Sequence, residues 1–157
     1  MKKRLIYGET NAYDIIISID EEGCCYENQF QVKTTGSSGT YADIANMTSF
    51  SVAFDNGVQD WNSFDQQGWT SRLATTKGIT ITANGKRTVG DPGNDYIAGL
   101  AMKNGRDLYT DFKWTFPDGT TVEFTNAVIN VTSNGSGEAG DVAPLEFEVM
   151  SNGKPKV

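Results

Sequence analysis

The segment between residues 108 and 124 constrains the fold more than any other part of the sequence. Every second side chain of its first half is apolar, aromatic or threonine: Leu108, Thr110, Phe112, Trp114 and Phe116. The side chains between them are Tyr109, Asp111, Lys113 and Thr115. A period of two predicts a β-strand with one buried and one solvent-exposed face. The sequence Pro-Asp-Gly at 117–119 predicts a turn, and Val122 and Phe124 resume the alternation, so a β-hairpin is expected.

Three shorter segments alternate in the same way, at residues 50–54, 79–83 and 145–149. Glycine and asparagine separate them, which is typical of turns between strands. Residues 127–129 are apolar at successive positions, which predicts burial on both faces or a β-bulge. These patterns predict a mainly β chain, folded as a two-sheet antiparallel β-sandwich or barrel.

One stretch favours a helix that flanks the sheets. Asp91 is a good N-cap, and Pro92 suits the first helical position. Ile97 and Leu100 would share one face, and Gly105 would end the segment. The sequence therefore predicts one short α-helix in an otherwise β-rich domain.

The chain of 157 residues is long enough for one hydrophobic core. We expect residues 1–40 to form an N-terminal arm or edge strands, with possible strands around residues 15–19 and 26–33, ending in a Gly/Ser-rich linker at 34–40. Residues 41–157 would form the main β domain. No run of about 18 apolar residues is present, so no membrane span is expected. The basic first residues lack the long apolar segment of a secretory signal, which indicates synthesis in a cytoplasm.

Residue chemistry argues against catalysis. The chain has no histidine, so the common nucleophile–base arrangements are absent. Its two cysteines, Cys24 and Cys25, are adjacent and predict neither a disulfide framework nor a metal site. Residues 135–140 match GxGxxG without the strand and helix that a dinucleotide site needs. We therefore expect no enzymatic activity, no cofactor and no metal.

Charge argues against wrapping of nucleic acid, because 20 acidic side chains outnumber 13 basic ones. The acids Asp111, Glu123, Glu146 and Glu148 fall on the polar faces of predicted strands.

A long polar segment at 55–69 carries three aromatic residues, and we expect it to be a loop that binds a partner. Its predicted contact residues are Asp55, Asp60, Trp61, Phe64 and Trp69. The alternative is that Trp61 and Trp69 cap the core of their own domain.

Read in order, five features resemble the major tail proteins, or tail-tube proteins, of long-tailed bacteriophages and related phage-tail-like particles. They are a helix at 91–102, a turn at 105–107, an aromatic strand at 112–116, the turn Pro-Asp-Gly-Thr at 117–120, and a strand that closes before Asn-Gly-Lys-Pro at 152–155. The resemblance extends from Ile44 to the C-terminal end. It does not separate flexible siphophage tails from contractile ones.

The resemblance implies a structural protein that assembles with itself into hexameric rings, which stack into the tube for DNA ejection. A tape measure protein and a tail terminator are implied partners, and DNA would pass without specific binding. The location would be the virion tail, assembled in the cytoplasm of a bacterial host. Segment 55–69 would then contact the next ring, and Asp111, Glu123, Glu146 and Glu148 would be candidates for the lumen wall. A different class remains open, a carbohydrate-binding β-sandwich with Trp61 and Trp69 as a stacking platform.

Overall fold

A computed structural model describes residues 25–157. The strands of this part are β1 Gln29–Ser37, β2 Tyr41–Asp43, β3 Met47–Asn62, β4 Thr70–Lys86, β5 Tyr109–Thr115, β6 Thr121–Asn134 and β7 Pro144–Met150. One α-helix, α1, spans Pro92–Gly99. Short 3-10 helices lie at Cys25–Glu27, Phe64–Gln66 and Gly105–Leu108. The expectation of a mainly β chain with a single short α-helix is confirmed for the described residues. The predicted strand at 15–19 and the cysteine Cys24 lie outside them.

All seven strands belong to one hydrogen-bonded sheet in the order β2-β1-β5-β6-β7-β4-β3. The β3–β4, β4–β7 and β6–β7 ladders are antiparallel. Phe30 on β1 and Phe50 on β3 have ring centroids 5.0 Å apart, although β1 is second and β3 is last in the order. The sheet therefore curls until its two ends meet across the core. The predicted two sheets are the two halves of this one curled sheet.

The core lies inside the curl and follows the alternation read from the sequence. Leu145, Phe147 and Val149 of β7 are fully buried, and Ile81 and Ala83 of β4 oppose two of them. Burial of each large apolar side chain contributes roughly 1.5–3 kcal/mol. An aromatic cluster closes the core between β1, β3, β5 and β6, and it consists of Phe30, Phe50, Phe112, Trp114 and Phe124.

The helix begins where the sequence predicts and ends earlier. Asp91 is the N-cap and accepts hydrogen bonds from the backbone N–H groups of Asn94, at 3.0 Å, and Ala45, at 3.1 Å. Ile97 and Leu100 are buried. Gly93 is required by packing, because a Cβ there would lie 2.2 Å from the carbonyl oxygen of Asp43. The last helical residue is Gly99 rather than a residue near 102.

The chain divides into two compact units. The larger unit, Phe30–Trp114 with Thr121–Val157, holds nearly the whole sheet. The described residues of the other unit are 25–29 and 115–120, and they include the predicted turn. There the N–H of Phe116 donates to the carbonyl of Thr120 at 2.8 Å, and Gly119 has the positive φ of 89° that the turn needs.

The predicted linker at 34–40 differs from the structure, because residues 34–37 belong to β1, whose residues 31–33 pair with β2. The break in alternation expected at 127–129 lies slightly earlier. Thr125 and Asn126 are exposed in succession, and Asn126 has a φ of 54°. The division of the chain at residue 40 stays a prediction.

Candidate assembly surface

Segment 55–69, predicted to be a loop, is mostly a paired β-ribbon. β3 runs on to Asn62, β4 starts at Thr70, and pairs from Asp55↔Gly78 to Asn62↔Thr70 continue the ladder. Only residues 63–69 connect the strands. The loop prediction was wrong because it weighed the polar side chains, whereas cross-strand pairing of the backbone decides whether such residues form strands. We call residues 55–77 the distal hairpin.

The distal hairpin is exposed along nearly its whole length, unlike the half of β3 and β4 that covers the core. Phe64 is fully exposed, and the exposed fractions of Trp61 and Trp69 are 49% and 77%. These side chains therefore do not cap the core of this chain, and that alternative was wrong. Asp55 and Asp60 are exposed as well.

Cross-strand register shows that both faces of the distal hairpin carry apolar side chains. Val58 lies on the face that continues the core side of β3, together with Phe54. Trp61 and Leu73 lie on the opposite face, on rungs of the ladder that are two apart. All four side chains are at least about half exposed. A large exposed apolar surface marks an interaction site in a folded chain.

A tight turn fixes the aromatic residues at the tip. The N–H of Trp69 donates to the carbonyl of Gln66 at 3.0 Å, and the Ser63 hydroxyl donates to the Asp65 carboxylate at 2.6 Å. Gln67 and Gly68 both have positive φ, which reverses the chain within a few residues. Phe64 and Trp69 are thereby held at the end of the hairpin.

Asp111, one of the four predicted lumen acids, is not on a solvent-exposed face. It is 7% exposed, and Lys33 Nζ lies 2.8 Å from its Oδ2. Its Oδ1 accepts a hydrogen bond from the backbone N–H of Asn126 at 3.0 Å. The expectation of an exposed Asp111 was wrong because β5 is buried on both sides here, as Thr110 and Phe112 also show.

Glu123 belongs to the same cluster of charges, which surrounds Tyr41. Tyr41 hydrogen-bonds to Glu123, and Lys113 Nζ lies 4.3 Å from the centre of the Tyr41 ring. Burial, followed by the negative charges of Glu123 and Asp111, raises the pKa of Tyr41 to about 12. Lys33 pairs with Asp111 and Lys113 lies over the Tyr41 ring, so this cluster contains charges of both signs.

Glu146 and Glu148 have different surroundings on β7. They are partly exposed and point away from the core, since they alternate with buried residues. Their partners on β4 are Asn84 and Thr82, and Asn130 donates to Glu148 at 3.4 Å. We call this surface the polar face. Its members share the non-core side of four adjacent strands, and they are Ser49, Ser51, Thr80, Thr82, Asn84, Asn130, Glu146 and Glu148.

Sequence reasoning missed two structurally important side chains, those of Asn94 and Lys33. Asn94 is fully buried, and its side chain joins Ala45, Lys86 and Thr88 through hydrogen bonds. Its position three residues after Asp91 gave no sign of this role. Lys33 was also missed, because its partner Asp111 is 78 residues away.

In the part of the chain that the structure describes, no three His, Cys, Asp or Glu side chains are grouped so that they could hold a metal ion. Within residues 25–157, no helix is long and apolar enough to cross a membrane.

No protein-family model and no curated protein matches the sequence. Solved structures do match. A chain from the tail of an empty gene transfer agent particle, obtained with helical refinement and C6 symmetry, has a TM-score of 0.68 and 19% identity, covering 86% of this chain and 98% of that chain. A chain from the virion of a native gene transfer agent particle has a TM-score of 0.65 and 16% identity, covering 85% and 97%.

A third match comes from the sheath–tube complex of an extracellular contractile injection system in its extended state. Its TM-score is 0.58 at 16% identity, and the match covers 88% of this chain and 92% of that chain. At sequence identities this low, the structural matches establish a shared fold and nothing more specific. At the level of the fold, the resemblance to tail-tube proteins read from the sequence is confirmed.

Proposed function

We propose that this chain is the repeating subunit of a tail tube in a phage or phage-like particle. The observation that carries the proposal is the distal hairpin, which exposes apolar side chains on both faces and at its tip while remaining outside the core. Ordered, exposed apolar strands are costly in a monomer and are explained when further copies of the chain cover them. A structural role follows, without catalysis.

In this proposal six subunits form a ring, and rings stack through the distal hairpin. Asp55, Asp60, Trp61, Phe64 and Trp69 contact the next ring, with the aromatic side chains as anchors. Stacked rings form the virion tail, assembled in the host cytoplasm around a tape measure protein and closed by a tail terminator. The C6 symmetry described for the gene transfer agent tail supports the ring size.

The polar face is the proposed lumen wall. Its hydroxyl and amide groups lie beside Glu146 and Glu148. By alternation, the exposed Lys86 lies on the same side at the end of β4. Charge repulsion acts over about 8 Å at physiological ionic strength, which suffices to keep DNA from adhering to the wall. Asp111 contributes less than expected because it is buried and paired with Lys33, and Glu123 is hydrogen-bonded to Tyr41.

A carbohydrate-binding role has less support than a tube. A sugar-stacking platform needs aromatic rings on one accessible face. Here Trp61 lies on one face of the ribbon, Val58 lies on the other, and Trp69 lies beyond the last strand pair. Apolar side chains on both faces of the distal hairpin fit contacts with neighbouring subunits better than they fit a sugar-binding platform.

Replacing Trp61 and Phe64 with serine tests the proposal. Both side chains are exposed, so the purified variant should melt at the wild-type temperature but no longer form tubes, as judged by negative-stain microscopy and sedimentation. Met102→Ser is the matched control, since Met102 is also exposed but lies outside the hairpin, and this variant should assemble. A wild-type protein that stays monomeric at every concentration and salt level would refute the proposal.

A further inference from the structure

The β3–β4 and β6–β7 ladders share an unusual feature at their register shifts. Each shift leaves one residue without a cross-strand partner, and in all three cases that residue is threonine: Thr48, Thr75 and Thr132. Each threonine hydroxyl donates to a carbonyl of the opposite strand. The three bonds are Thr48 Oγ1 to Asn84 O at 3.1 Å, Thr75 Oγ1 to Gly57 O at 3.2 Å, and Thr132 Oγ1 to Glu146 O at 3.1 Å.

A residue inserted into one strand interrupts the regular ladder and increases the local bend and twist. A hydroxyl that donates across the strands gives the opposite carbonyl a partner at the interruption. Threonine also suits a strand through its β-branched side chain. The three threonines therefore act as one repeated device that places a bend at a defined point.

Two of the bends serve the core of this chain. Thr48 and Thr132 bond to the carbonyls of Asn84 and Glu146, and these two residues are cross-strand partners of each other. The two bends thus flank a single rung, next to the buried pair Ala83 and Phe147. They lie where the sheet curls around its core.

The third bend, at Thr75, does not shape the core of the chain. Thr75 interrupts the distal hairpin between the pairs Gly57↔Thr76 and Val58↔Ala74, and all these residues except Gly57 are exposed. Gly57 leaves room at the bend, because a Cβ there would lie 2.1 Å from Thr76 Oγ1. No buried side chain depends on this change of direction.

We propose that the Thr75 bend sets the direction of the distal hairpin so that its apolar faces meet a second copy of this chain in the adjacent ring. The inference rests on the proposed tube function and adds a geometric determinant to it. The bend fixes the angle between the hairpin and the body of the subunit, and so contributes to the twist between successive rings.

Deletion of Thr75 tests this role without altering any other contact in the ladder. The partners Val58↔Ala74 and Gly57↔Thr76 become consecutive, so every distal residue keeps its partner and its face. The variant should melt within a few degrees of the wild type, since the hairpin covers none of the core. We expect the critical concentration for tube assembly to rise at least tenfold, or the tubes that form to have a changed helical twist by cryo-electron microscopy.

Thr75→Val is the matched control, because it removes the hydroxyl but keeps the inserted residue. This variant should assemble with the wild-type twist. Wild-type assembly by the deletion variant, with unchanged critical concentration and twist, would overturn the inference and leave the tube function intact. Equal loss of assembly in both variants would also overturn it, since the hydroxyl rather than the bend would then be responsible. Failure of the wild type itself to polymerise would refute the tube function.

Discussion

The two halves of the β3–β4 ladder use the same backbone pairing but have different surroundings. In the half near α1, Val52 pairs with Ile81 and Phe50 with Ala83, and these side chains face the core. In the distal half, Gln59 pairs with Leu73 and Trp61 with Ser71, and both faces are exposed. Regular pairing is therefore no sign that a strand contributes to the core. The first half stabilises the subunit, and the second is available for contacts between subunits.

The largest expected effect is on the free energy of unfolding, and it distinguishes the core half of β4 from its distal half. Ile81→Ala should lower the free energy of unfolding by about 2–5 kcal/mol, because Ile81 is fully buried and its removal leaves a cavity. Leu73→Ala on the same strand should change it by about 0.5 kcal/mol or less, because Leu73 is 58% exposed. Urea denaturation of the monomer measures both. Similar losses from the two substitutions would break the comparison.

A smaller effect is expected for acidic residues. Asp111→Ala should lower the free energy of unfolding by about 2–4 kcal/mol, because it removes the buried carboxylate that pairs with Lys33 and accepts a hydrogen bond from the N–H of Asn126. Asp60→Ala in the distal hairpin should lower the free energy of unfolding by about 0.5 kcal/mol or less, since Asp60 is exposed. Chemical denaturation of these two variants, of Lys33→Ala and of the double variant Lys33→Ala/Asp111→Ala tests this, and the double variant is compared with the Lys33→Ala and Asp111→Ala single variants. A double variant whose loss equals the sum of the two single losses would contradict the coupling.

The smallest expected effect is a dependence of the free energy of unfolding on pH in the alkaline range. Tyr41 has a pKa raised to about 12 in the folded state, against an ordinary value of 10.0. Its stabilising contribution is thus complete below about pH 10 and is lost as the pH rises through about 12. The distal hairpin contains no tyrosine, so phenolate absorbance reports other parts of the molecule. Tyr41→Phe should remove one late-ionising group and flatten the stability profile in this pH range. An unchanged titration curve would exclude the shift.

Local features of the sequence predicted local features of the structure. The turn at 117–119, the cap at Asp91 and the alternation of Leu145, Phe147 and Val149 each depend on residues a few positions apart. The distal hairpin was missed because its residues have weak strand propensity. Its strands are fixed by a ladder that pairs Asp55 with Gly78, more than twenty residues away.

The sequence by itself determined that the chain is mainly β, where its sharpest turn lies and which side chains of β7 are buried, because period and turn chemistry act over short distances. Only the tertiary structure decided that one curled sheet replaces two, that Asp111 is buried against Lys33, and that Trp61 is exposed on a ribbon. Each of these depends on segments far apart in sequence that come together only when the sheet closes on itself. Closure is specified by the sum of many long-range contacts and by no single motif.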